Sequence, residues 1–435
     1  MRSPKGELML KAAFLLILFC NPAGFSQETE KKENGGKYRK LIVTAWKLSS
    51  RISPDPQKLN YVFDKSFFNY LSRTKTTALL RELYEENGAV VDVSTVSLES
   101  PRQGNFFFRT DRDLTIPVTI TIEEGKGRIT GLFFRPSFKK SSSLADVTAG
   151  FEKLNYGKKA LLIKKLGGIE DNVYAKNENE SLAIGSAFKL YVLAALARNE
   201  LKWDKILKIS PENKSLPTGR SQFLPDGSPL TAFSLASVMI SESDNTASDI
   251  LIDYAGREKV EKLMSEYNSR PELNVPFLKT NELFKIKYST AANEYLSLKT
   301  VKKKRKFLEK LKKTKINLRS LKLGEPVHIE DLEWFASQDD LCRLMDYFRK
   351  KNDKYANAIL SLNPGLDVKT SGFRFAGFKG GSEPGVISLT WLLQTKTGVW
   401  YCVGAAANDR EKLIEEKEFF SVMQNILNQV GSESF

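Results

Sequence analysis

The spacing of apolar residues along the chain predicts a small first domain. Between residues 39 and 87 apolar residues recur at intervals near three and four, which predicts helices. Between Val90 and Phe138 the interval falls to two, which predicts strands, with a hairpin turn at Glu124 to Gly127. Helices followed by a curved antiparallel sheet predict a small α+β domain over residues 39–140.

A second pattern of strands and helices follows a polar, serine-containing stretch at residues 141–150, which we interpret as a linker. Residues 151–435 begin with a predicted hairpin, continue with a long helical part, and end with another hairpin and an amphipathic helix over 412–430. The predicted strands are 161–163, 173–175, 386–393 and 399–403. Strands from both ends with helices between them predict a second α+β domain.

The N-terminus has the pattern of a signal peptide over residues 1–26. Basic residues precede the apolar run Ala12 to Phe19, and small residues follow near Ser26. The run is too short to span a bilayer, so we expect export to the periplasm or the exterior. Two alternatives are a lipid anchor at Cys20, which Phe19 disfavours, and a retained anchor. Residues 27–38 are polar and predict a flexible lead-in.

The charge of the chain suggests anionic surroundings. Its 435 residues carry a formal net charge of +15, but no nucleic-acid motif accompanies the charge, and the aromatic residues do not alternate with the basic runs. We therefore predict no nucleic-acid partner. A basic insertion at about 285–330 contains the run 302–322, which predicts either a solvated charged helix or an arm that contacts an anionic envelope surface.

The cysteines and the histidine limit the possible chemistry. Without the signal peptide only Cys342 and Cys402 remain, and an export route permits a disulfide. Because one lies in a helical pattern and the other in a strand pattern, we predict two buried free thiols. His328 is the only histidine, which argues against Ser-His-Asp catalysis and multi-histidine zinc sites. No metal or organic cofactor is predicted.

A serine and a lysine one helical turn apart can form a nucleophile and its base. Ser-x-x-Lys occurs at Ser72, Ser137 and Ser186, but only Ser186 opens a strongly apolar helix. Lys189 then lies on the same face as Ser186 and can take the proton of its hydroxyl. It must be neutral to do so, which burial or a neighbouring cation would favour.

Two further strings stand in order after Ser186. Ser243-Asp244-Asn245 is followed by Thr-Ala, and Lys379-Gly380-Gly381-Ser382 precedes the predicted strand 386–393. Two other lysine-containing strings, which begin at Lys369 and Lys396, are alternatives to the string at Lys379. Since the functional copy should begin a strand that lines the site, and Lys396 lies at the next hairpin turn, we choose Lys379.

The three strings together resemble those of class A β-lactamases and penicillin-binding proteins. The resemblance covers residues 150–435 and implies the β-lactamase fold, with helices and an α/β part. It implies that Ser243 relays a proton, that Asp244 holds its loop and that Lys379 anchors an anionic group of the substrate. The N–H groups of Ser186 and Ser382 would form an oxyanion hole.

The resemblance also implies which residues bind the substrate. These are Asn245, Gly380, Gly381 and Ser382. Gly380 replaces the family's Thr or Ser, so one hydroxyl contact to a substrate carboxylate is missing.

The deacylation base is the part of the pattern in which this sequence departs from the family. The family's Glu-Pro-Glu-Leu-Asn is similar to Arg270-Pro271-Glu272-Leu273-Asn274, in which Arg270 takes the place of the base. Glu272 is a candidate base, or a surface acid of a shortened loop. Without a base, acylation could proceed while hydrolysis is slow.

These observations predict an exported serine hydrolase that forms an acyl-enzyme with a β-lactam or a related small amide or ester. The alternatives are a penicillin-binding, D-alanyl peptidase-like or esterase activity on the same residues, and a non-catalytic envelope-binding module. The first domain loosely resembles the ketosteroid-isomerase-like cone fold, for which we expect a scaffold or docking role.

Overall fold

The computed structural model describes residues 36–141, 143–168, 171–312, 324–368 and 371–433. The described residues combine helices with two five-stranded antiparallel sheets, neither of which closes into a barrel, so the structure is α+β as predicted. The predicted signal peptide with Cys20, and most of the lead-in 27–38, lie outside the described residues. The division into two domains stays a prediction.

The first sheet follows two helices. The helices are α1 (Arg39–Ser49) and α2 (Arg73–Asn87). The strands are β1 (Val90–Ser100), β2 (Gln103–Thr110), β3 (Leu114–Ile122), β4 (Ile129–Phe134) and β5 (Phe138–Lys139). They are ordered β1-β2-β3-β4, and β5 pairs with β3. The residues of β2 alternate as the pattern predicts, and Phe106 and Phe108 pack against Leu41 and Leu48 of α1 and Leu80 of α2.

The remaining helices and strands form the larger part of the molecule. The helices are α3 (Leu144–Lys153), α4 (Lys189–Arg198), α5 (Ala232–Ser241), α6 (Asn245–Ala255), α7 (Arg257–Tyr267), α8 (Thr280–Lys287), α9 (Ala291–Ser297), α10 (Val301–Leu311), α11 (Gln338–Lys351), α12 (Lys354–Leu360) and α13 (Glu416–Ser432). The strands are β6 (Lys158–Leu166), β7 (Asp171–Lys176), β8 (Leu182–Ala183), β9 (Ile206–Lys208), β10 (Pro229–Thr231), β11 (Phe335–Ala336), β12 (Phe373–Glu383), β13 (Val386–Thr395) and β14 (Trp400–Asn408).

The second sheet joins strands from both ends of this region, as the sequence predicts. Its order is β12-β13-β14-β6-β7, and β6 pairs with β14. Side chains such as Leu161 and Ile163 face α3 and α13, where Phe151 and Phe419 pack edge to face. Leu162 faces the opposite way, into the core that contains α4 and α11. Because both faces are covered, β13 is an almost continuous run of buried residues.

Two sequence predictions differ from the structure near the start of this region and in its core. Most of the predicted linker 141–150 belongs to α3, because Val147 and Phe151 pack beneath the second sheet. The prediction of two free thiols is wrong, because Cys342 and Cys402 form a disulfide with their Cα atoms 5.6 Å apart. Helix α11 packs against β14, a contact between elements 60 residues apart that local patterns do not reveal.

The predicted basic insertion contains the end of α8 and helices α9 and α10. Leu308 and Leu311 of α10 are buried in the helical core, while Lys302, Lys303 and Lys306 are exposed. The first part of the run 302–322 is therefore a charged helix, and residues 313–322 lie outside the described residues. Within the described ranges, no helix combines the length and apolar character that crossing a bilayer requires.

Candidate active site

Ser186 lies in a rigid turn at the beginning of a buried helix. The turn, Gly185–Phe188, is a 3₁₀ helix that continues directly into α4. Before it, Ile184 N–H donates a hydrogen bond of 2.9 Å to Trp334 O, next to the pairing of β8 with β11. After it, the ring of Phe188 stacks on the indole of Trp334 with centroids 3.9 Å apart. The position of the Ser186 backbone is thus fixed from both sides.

Lys189 joins the first two sequence motifs. Its Nζ atom lies 3.1 Å from Ser186 Oγ, 3.0 Å from Ser243 Oγ, 2.7 Å from Ser243 O and 2.7 Å from Asn245 Oδ1. An ammonium group has three protons to donate and no lone pair to accept with, whereas a neutral amine can accept the proton of a hydroxyl. The contact with Ser186 is therefore suited to proton transfer when Lys189 is neutral.

The surroundings of Lys189 favour the neutral amine. Lys189 is completely buried, and burial lowers its pKa well below the usual value, with a further lowering by the charge of Lys379. The carboxylates of Asp244, Asp249 and Glu383 oppose this shift. Because the desolvation of a cation dominates here, the surroundings favour the neutral form that Lys189 would need to act as the predicted base.

Ser243 lies in a strained turn between α5 and α6. Its φ is +57°, a left-handed conformation that a residue with a side chain adopts only when its surroundings hold it there. The carbonyl of Ser243 accepts hydrogen bonds of 2.7 Å from Thr218 Oγ1 and from Lys189 Nζ. These contacts fix the conformation in which Ser243 Oγ points at both lysines of the site.

Asp244 holds this turn, as the sequence predicted. One carboxylate oxygen accepts from the N–H of Ala247 and caps helix α6, and the other accepts from the N–H groups of Arg220 and Ser221, all at 2.8 Å. The approach to Gly219 is so close that a Cβ atom there would lie 2.3 Å from Asp244 Cγ. The turn of Ser243 and the loop around Gly219 are therefore built as one unit.

Lys379 reaches the same serine from the second sheet. Its Nζ atom lies 3.1 Å from Ser243 Oγ, and it also donates to Gly380 O. Burial lowers the pKa of Lys379 to about 7. The sequence placed Lys379 at the beginning of a strand, but it lies near the end of β12, opposite Thr390 of β13. The motif therefore approaches Ser186 along the edge strand of the sheet.

Gly381 allows β12 to lie directly against the Ser186 turn. A Cβ atom on Gly381 would lie 2.2 Å from Ile184 O and 2.4 Å from Ser186 N. Ser382 N lies 3.4 Å from the position of a Cβ atom on Gly185, so the main-chain N–H groups of Ser186 and Ser382 occupy neighbouring stretches of backbone. The oxyanion hole that these two N–H groups would form stays a prediction. The hydroxyl of Ser382 donates a hydrogen bond to Glu416.

Two predicted residues have contacts other than those expected of them. The side chain of Asn245 is buried and binds Lys189 through Oδ1 and Leu216 O through Nδ2, at 3.0 Å. Its contact with a substrate stays a prediction. Glu272 is exposed and accepts a 2.6 Å hydrogen bond from Arg270, whose contact lowers its pKa. No hydrogen bond or ion pair connects Glu272 to the residues described around Ser186.

The competing motifs have ordinary structural roles where the structure describes them. Ser72 caps α2 by accepting from Lys75 N, and Lys396 lies in the turn between β13 and β14. Lys369 lies outside the described residues. The structure thus brings together Ser186, Lys189, Ser243 and Lys379, the residues that the order of the motifs selected.

A buried charged cluster beside the site was missed by the sequence analysis. Lys287 Nζ contacts a carboxylate oxygen of Glu333 and lies 2.7 Å from Glu383 Oε2. All three side chains are at most 9% exposed. They come from α8, the segment before β11 and the end of β12, so the spacing of residues in the sequence does not predict their contact. Within the described ranges, no group of three His, Cys, Asp or Glu side chains could hold a metal ion.

The sequence of this region matches a known family. Residues 144–322 match the sequence model of the beta-lactamase enzyme family. The match includes Ser186, Lys189 and Ser243 and ends before Lys379. It confirms the resemblance to β-lactamases and penicillin-binding proteins and the predicted fold class. The resemblance of the first domain to the cone fold stays a prediction.

Solved structures of PBP-A and of beta-lactamases are also similar to part of this chain. A structure of PBP-A is 14% identical, with 68% of this chain and 99% of that chain covered and a TM-score of 0.44. A beta-lactamase from Sphaerobacter thermophilus is 19% identical, with coverages of 66% and 94% and a TM-score of 0.43. One from Francisella tularensis is 15% identical, with coverages of 66% and 98% and a TM-score of 0.46. No curated protein matches the chain closely enough to count as a relative.

Proposed function

We propose that this chain is an exported serine hydrolase in which Ser186 is acylated by a β-lactam or a related amide or ester. The observation that carries the proposal is the 3.1 Å contact between Ser186 Oγ and Lys189 Nζ, made where burial lowers the pKa of the lysine. A neutral amine within hydrogen-bond distance of a hydroxyl is a competent general base. The second contact of Lys189, with Ser243, supplies the path that the proton then needs.

In the proposed acylation, Lys189 takes the proton of Ser186 as Oγ forms a bond to the carbonyl carbon. The N–H groups of Ser186 and Ser382 stabilise the negative charge that develops on the carbonyl oxygen. The C–N bond then breaks, and the leaving nitrogen receives the proton of Ser243 Oγ. Lys189 returns its proton to Ser243, so the relay ends in its starting state. Lys379 stabilises the negative charge on a substrate when it is protonated.

Intact mass after incubation with a penicillin and with a fluorescent β-lactam tests this proposal. We expect one added acyl group on the wild-type protein and none on Ser186→Ala. Ser72→Ala is the matched control, because Ser72 has the same Ser-x-x-Lys spacing but caps α2. If the wild type forms no adduct and consumes no β-lactam, β-lactam chemistry is excluded. The same labelling with activated esters then separates an esterase from a non-catalytic module.

A penicillin-binding or D-alanyl peptidase-like activity is the second candidate for the same residues. It is favoured by the surroundings of Glu272, which is exposed and paired with Arg270, so that the predicted deacylation base has no contact with the site. A stable adduct supports this alternative, and rapid consumption of the β-lactam supports a β-lactamase. Release of D-alanine from a peptidoglycan-like peptide would identify the peptidase.

We also propose that the protein is exported and that it contacts an anionic envelope surface. The proposal of export rests on the basic and apolar pattern of residues 1–26, and N-terminal sequencing of the mature protein tests it. Contact with an anionic envelope surface rests on the exposed lysines of α10, among them Lys302, Lys303 and Lys306.

A further inference from the structure

The rim of the site beside Ser382 carries a carboxylate, Glu416, at the beginning of α13. The hydroxyl of Ser382 donates a hydrogen bond to Glu416 Oε1, and both residues are exposed. The backbone next to Ser382 reaches the proposed nucleophile, because a Cβ atom on Gly381 would lie 2.4 Å from Ser186 N. A substrate group that lies along this part of β12 is therefore close to the negative charge of Glu416.

The basic residues next to Glu416 in the sequence pair with other carboxylates. Lys417 forms an ion pair with Glu86, and Lys412 Nζ lies 3.9 Å from Asp409 Oδ2. Glu416 itself has no ion-pair partner within the described ranges, and its contact is the neutral hydroxyl of Ser382. Its charge is therefore available to attract or repel a charged group of a substrate.

The neighbouring position on the same face of β12 has apolar surroundings. Residues two apart in a strand share a face, so Gly380 lies on the face of Ser382. A Cβ atom on Gly380 would lie 2.9 Å from Phe378 Cζ and 3.0 Å from Leu389 Cδ2. These side chains surround the position at which the family's hydroxyl would contact a substrate carboxylate. An anionic group placed there would lose hydration without gaining a hydrogen-bond donor from residue 380.

Lys379, the cation that the resemblance assigns to an anionic substrate group, is a weak anchor for an anion. Its side chain is buried, and its Nζ atom already donates to Ser243 Oγ and Gly380 O, which leaves one of three ammonium protons for a substrate. Burial lowers the pKa of Lys379 to about 7. Above that pH fewer than half of the molecules carry the charge, whereas the charge of Glu416 lies at the exposed rim.

We propose that Glu416 is a specificity-determining residue, which favours substrates with a neutral or cationic group beside Ser382 and disfavours those with a carboxylate there. The inference rests on the proposed acylation of Ser186 and names the substrate class for that reaction. An amide or ester with no free carboxylate near the reacting carbonyl places no like charge beside Glu416, and an ammonium group in that place is attracted by it. This runs counter to the expectation that Lys379 anchors an anionic group of the substrate.

Three probes with one β-lactam ring and different charges test this proposal. They are benzylpenicillin, which carries a carboxylate, its neutral methyl ester, and its cationic dialkylaminoethyl ester. The acylation rate with each probe in excess is followed by intact mass at one pH and low ionic strength, and an adduct with the mass of the whole probe shows that the ring carbonyl reacted. Each probe is compared with itself between variants, so its intrinsic reactivity cancels.

Glu416→Gln removes the charge but keeps an oxygen that can accept from Ser382. Relative to the methyl ester, the rate with the carboxylate probe should rise about three- to tenfold and the rate with the cationic probe should fall by a similar factor, as expected for one charge contact at a partly solvated rim. Glu416→Lys should exceed both changes. In about 1 M salt, where the Debye length is about 3 Å, the differences between wild type and variants should shrink.

Glu418→Gln is the matched control for the charge of Glu416. It removes the same charge from the same helix, but two residues along an α-helix lie about 200° apart around its axis. The charge of Glu418 acts on Tyr156 instead. The ratios of the three rates should therefore be the same in Glu418→Gln and in wild type.

The outcomes separate this inference from the proposed function. Opposite changes for the anionic and cationic probes, confined to the Glu416 variants, support it. If Glu416→Gln changes all three rates by one factor, the residue only supports Ser382, and if Glu418→Gln shifts the ratios equally, only net charge matters. Either result overturns Glu416 as the specificity determinant but leaves the acylation of Ser186 intact. If the wild type is acylated by none of the probes, the proposed function fails and this inference fails with it.

Discussion

Lys189 and Lys379 place their Nζ atoms 3.0 and 3.1 Å from the same oxygen, Ser243 Oγ. Two ammonium groups this close to one hydroxyl, both buried, would repel each other strongly. The pKa of each lysine is lowered, that of Lys379 to about 7. Ser243 therefore lies between two amines whose charged forms are both disfavoured, and several consequences can be measured.

Replacing Lys379 by Met should remove a pH dependence of stability. A lysine with a pKa of about 7 in the folded state and about 10.4 in the unfolded chain binds fewer protons when folded. The wild-type free energy of unfolding should thus rise with pH between these values, by about 1.4 kcal/mol per pH unit at most. Below about pH 7 the folded protein carries the full cost of burying a charged lysine.

Urea unfolding at several pH values between about 6 and 9 checks this dependence. Lys379→Met should be the more stable protein, relative to wild type, at the acidic end, and this advantage should shrink as the pH rises. The substitution also removes the charge of Lys379 that lowers the pKa of Lys189. The stability of the variant should therefore depend even less on pH. If the free energies of unfolding of the two proteins change equally with pH, the pKa of Lys379 in the folded state is not lowered.

Replacing Lys189 by Met should abolish most acylation. The variant loses the proposed general base, for which a loss of about 100- to 10⁴-fold is usual, and it also leaves Asn245 Oδ1 without its 2.7 Å donor. The measurement is the acylation rate with a fluorescent β-lactam, together with the melting temperature. Lys75→Met, in the Ser72 motif, is the control and should leave acylation unchanged. Normal acylation of folded Lys189→Met would assign the base elsewhere.

The sequence predicted this part of the site because its chemistry is local. Ser186 and Lys189 are one turn apart on a helix, and the apolar residues after them distinguish this motif from the two others. The order of the motifs along the chain then identified Ser243 and Lys379 as the other residues of the site. The position of Lys379 within its strand was wrong, since β12 contains glycines and charges that do not have the pattern of a strand.

Replacing Gly381 by Ala should separate β12 from Ser186, the proposed nucleophile. The new Cβ atom would lie 2.2 Å from Ile184 O and 2.4 Å from Ser186 N, and backbone atoms cannot move aside as a flexible side chain can. We expect acylation to fall by about tenfold or more, because an oxyanion donor is displaced, and stability to fall by about 1–3 kcal/mol.

The acylation rate and the melting temperature measure the two effects of Gly381→Ala. Gly150→Ala is the control, because no atom outside the neighbouring backbone of its own helix lies within 4 Å of its added Cβ and alanine is the better helix former in α3. It should keep full acylation and gain slightly in stability. If both variants acylate normally, β12 can shift without affecting the site, and the role of Ser382 N–H is contradicted.

The disulfide and the buried charged cluster were beyond the reach of sequence patterns. Cys342 and Cys402 belong to a helix and a strand that meet only in the folded chain. Glu333 lies next to Trp334 and Phe335 in a short apolar segment, and its partners Lys287 and Glu383 come from distant elements. Tertiary packing determines such contacts, and neither residue spacing nor propensity carries information about them.

Removing the disulfide should lower stability without removing the site. The bond closes a loop of 60 residues, for which the chain-entropy estimate is about 4 kcal/mol. Cys342→Ala/Cys402→Ala should therefore unfold at lower urea concentration than the oxidised wild type, and the reduced wild type should do the same. Acylation of the folded variant at low temperature should be retained. Two titratable thiols in unreduced, denatured protein purified from an exported source would contradict the pairing.

The exposed lysines of α10 should bind anionic surfaces if the helix contacts the envelope. Each lysine near an anionic membrane contributes about 1 kcal/mol, so replacing Lys302, Lys303 and Lys306 by Gln should weaken binding to phosphatidylglycerol-containing vesicles by roughly 100-fold or more. The fold should tolerate this, because Leu308 and Leu311 anchor the opposite face of the helix in the core.

Co-sedimentation with vesicles at low and high salt measures the contribution of α10. The matched control replaces three exposed lysines around β9, namely Lys202, Lys205 and Lys208, and removes the same net charge from another surface. If binding depends only on total charge, both triple variants should weaken equally, and α10 has no special role. A loss confined to the α10 variant, and reduced by salt in the wild type, would identify α10 as the binding surface, since screening weakens exposed charge contacts.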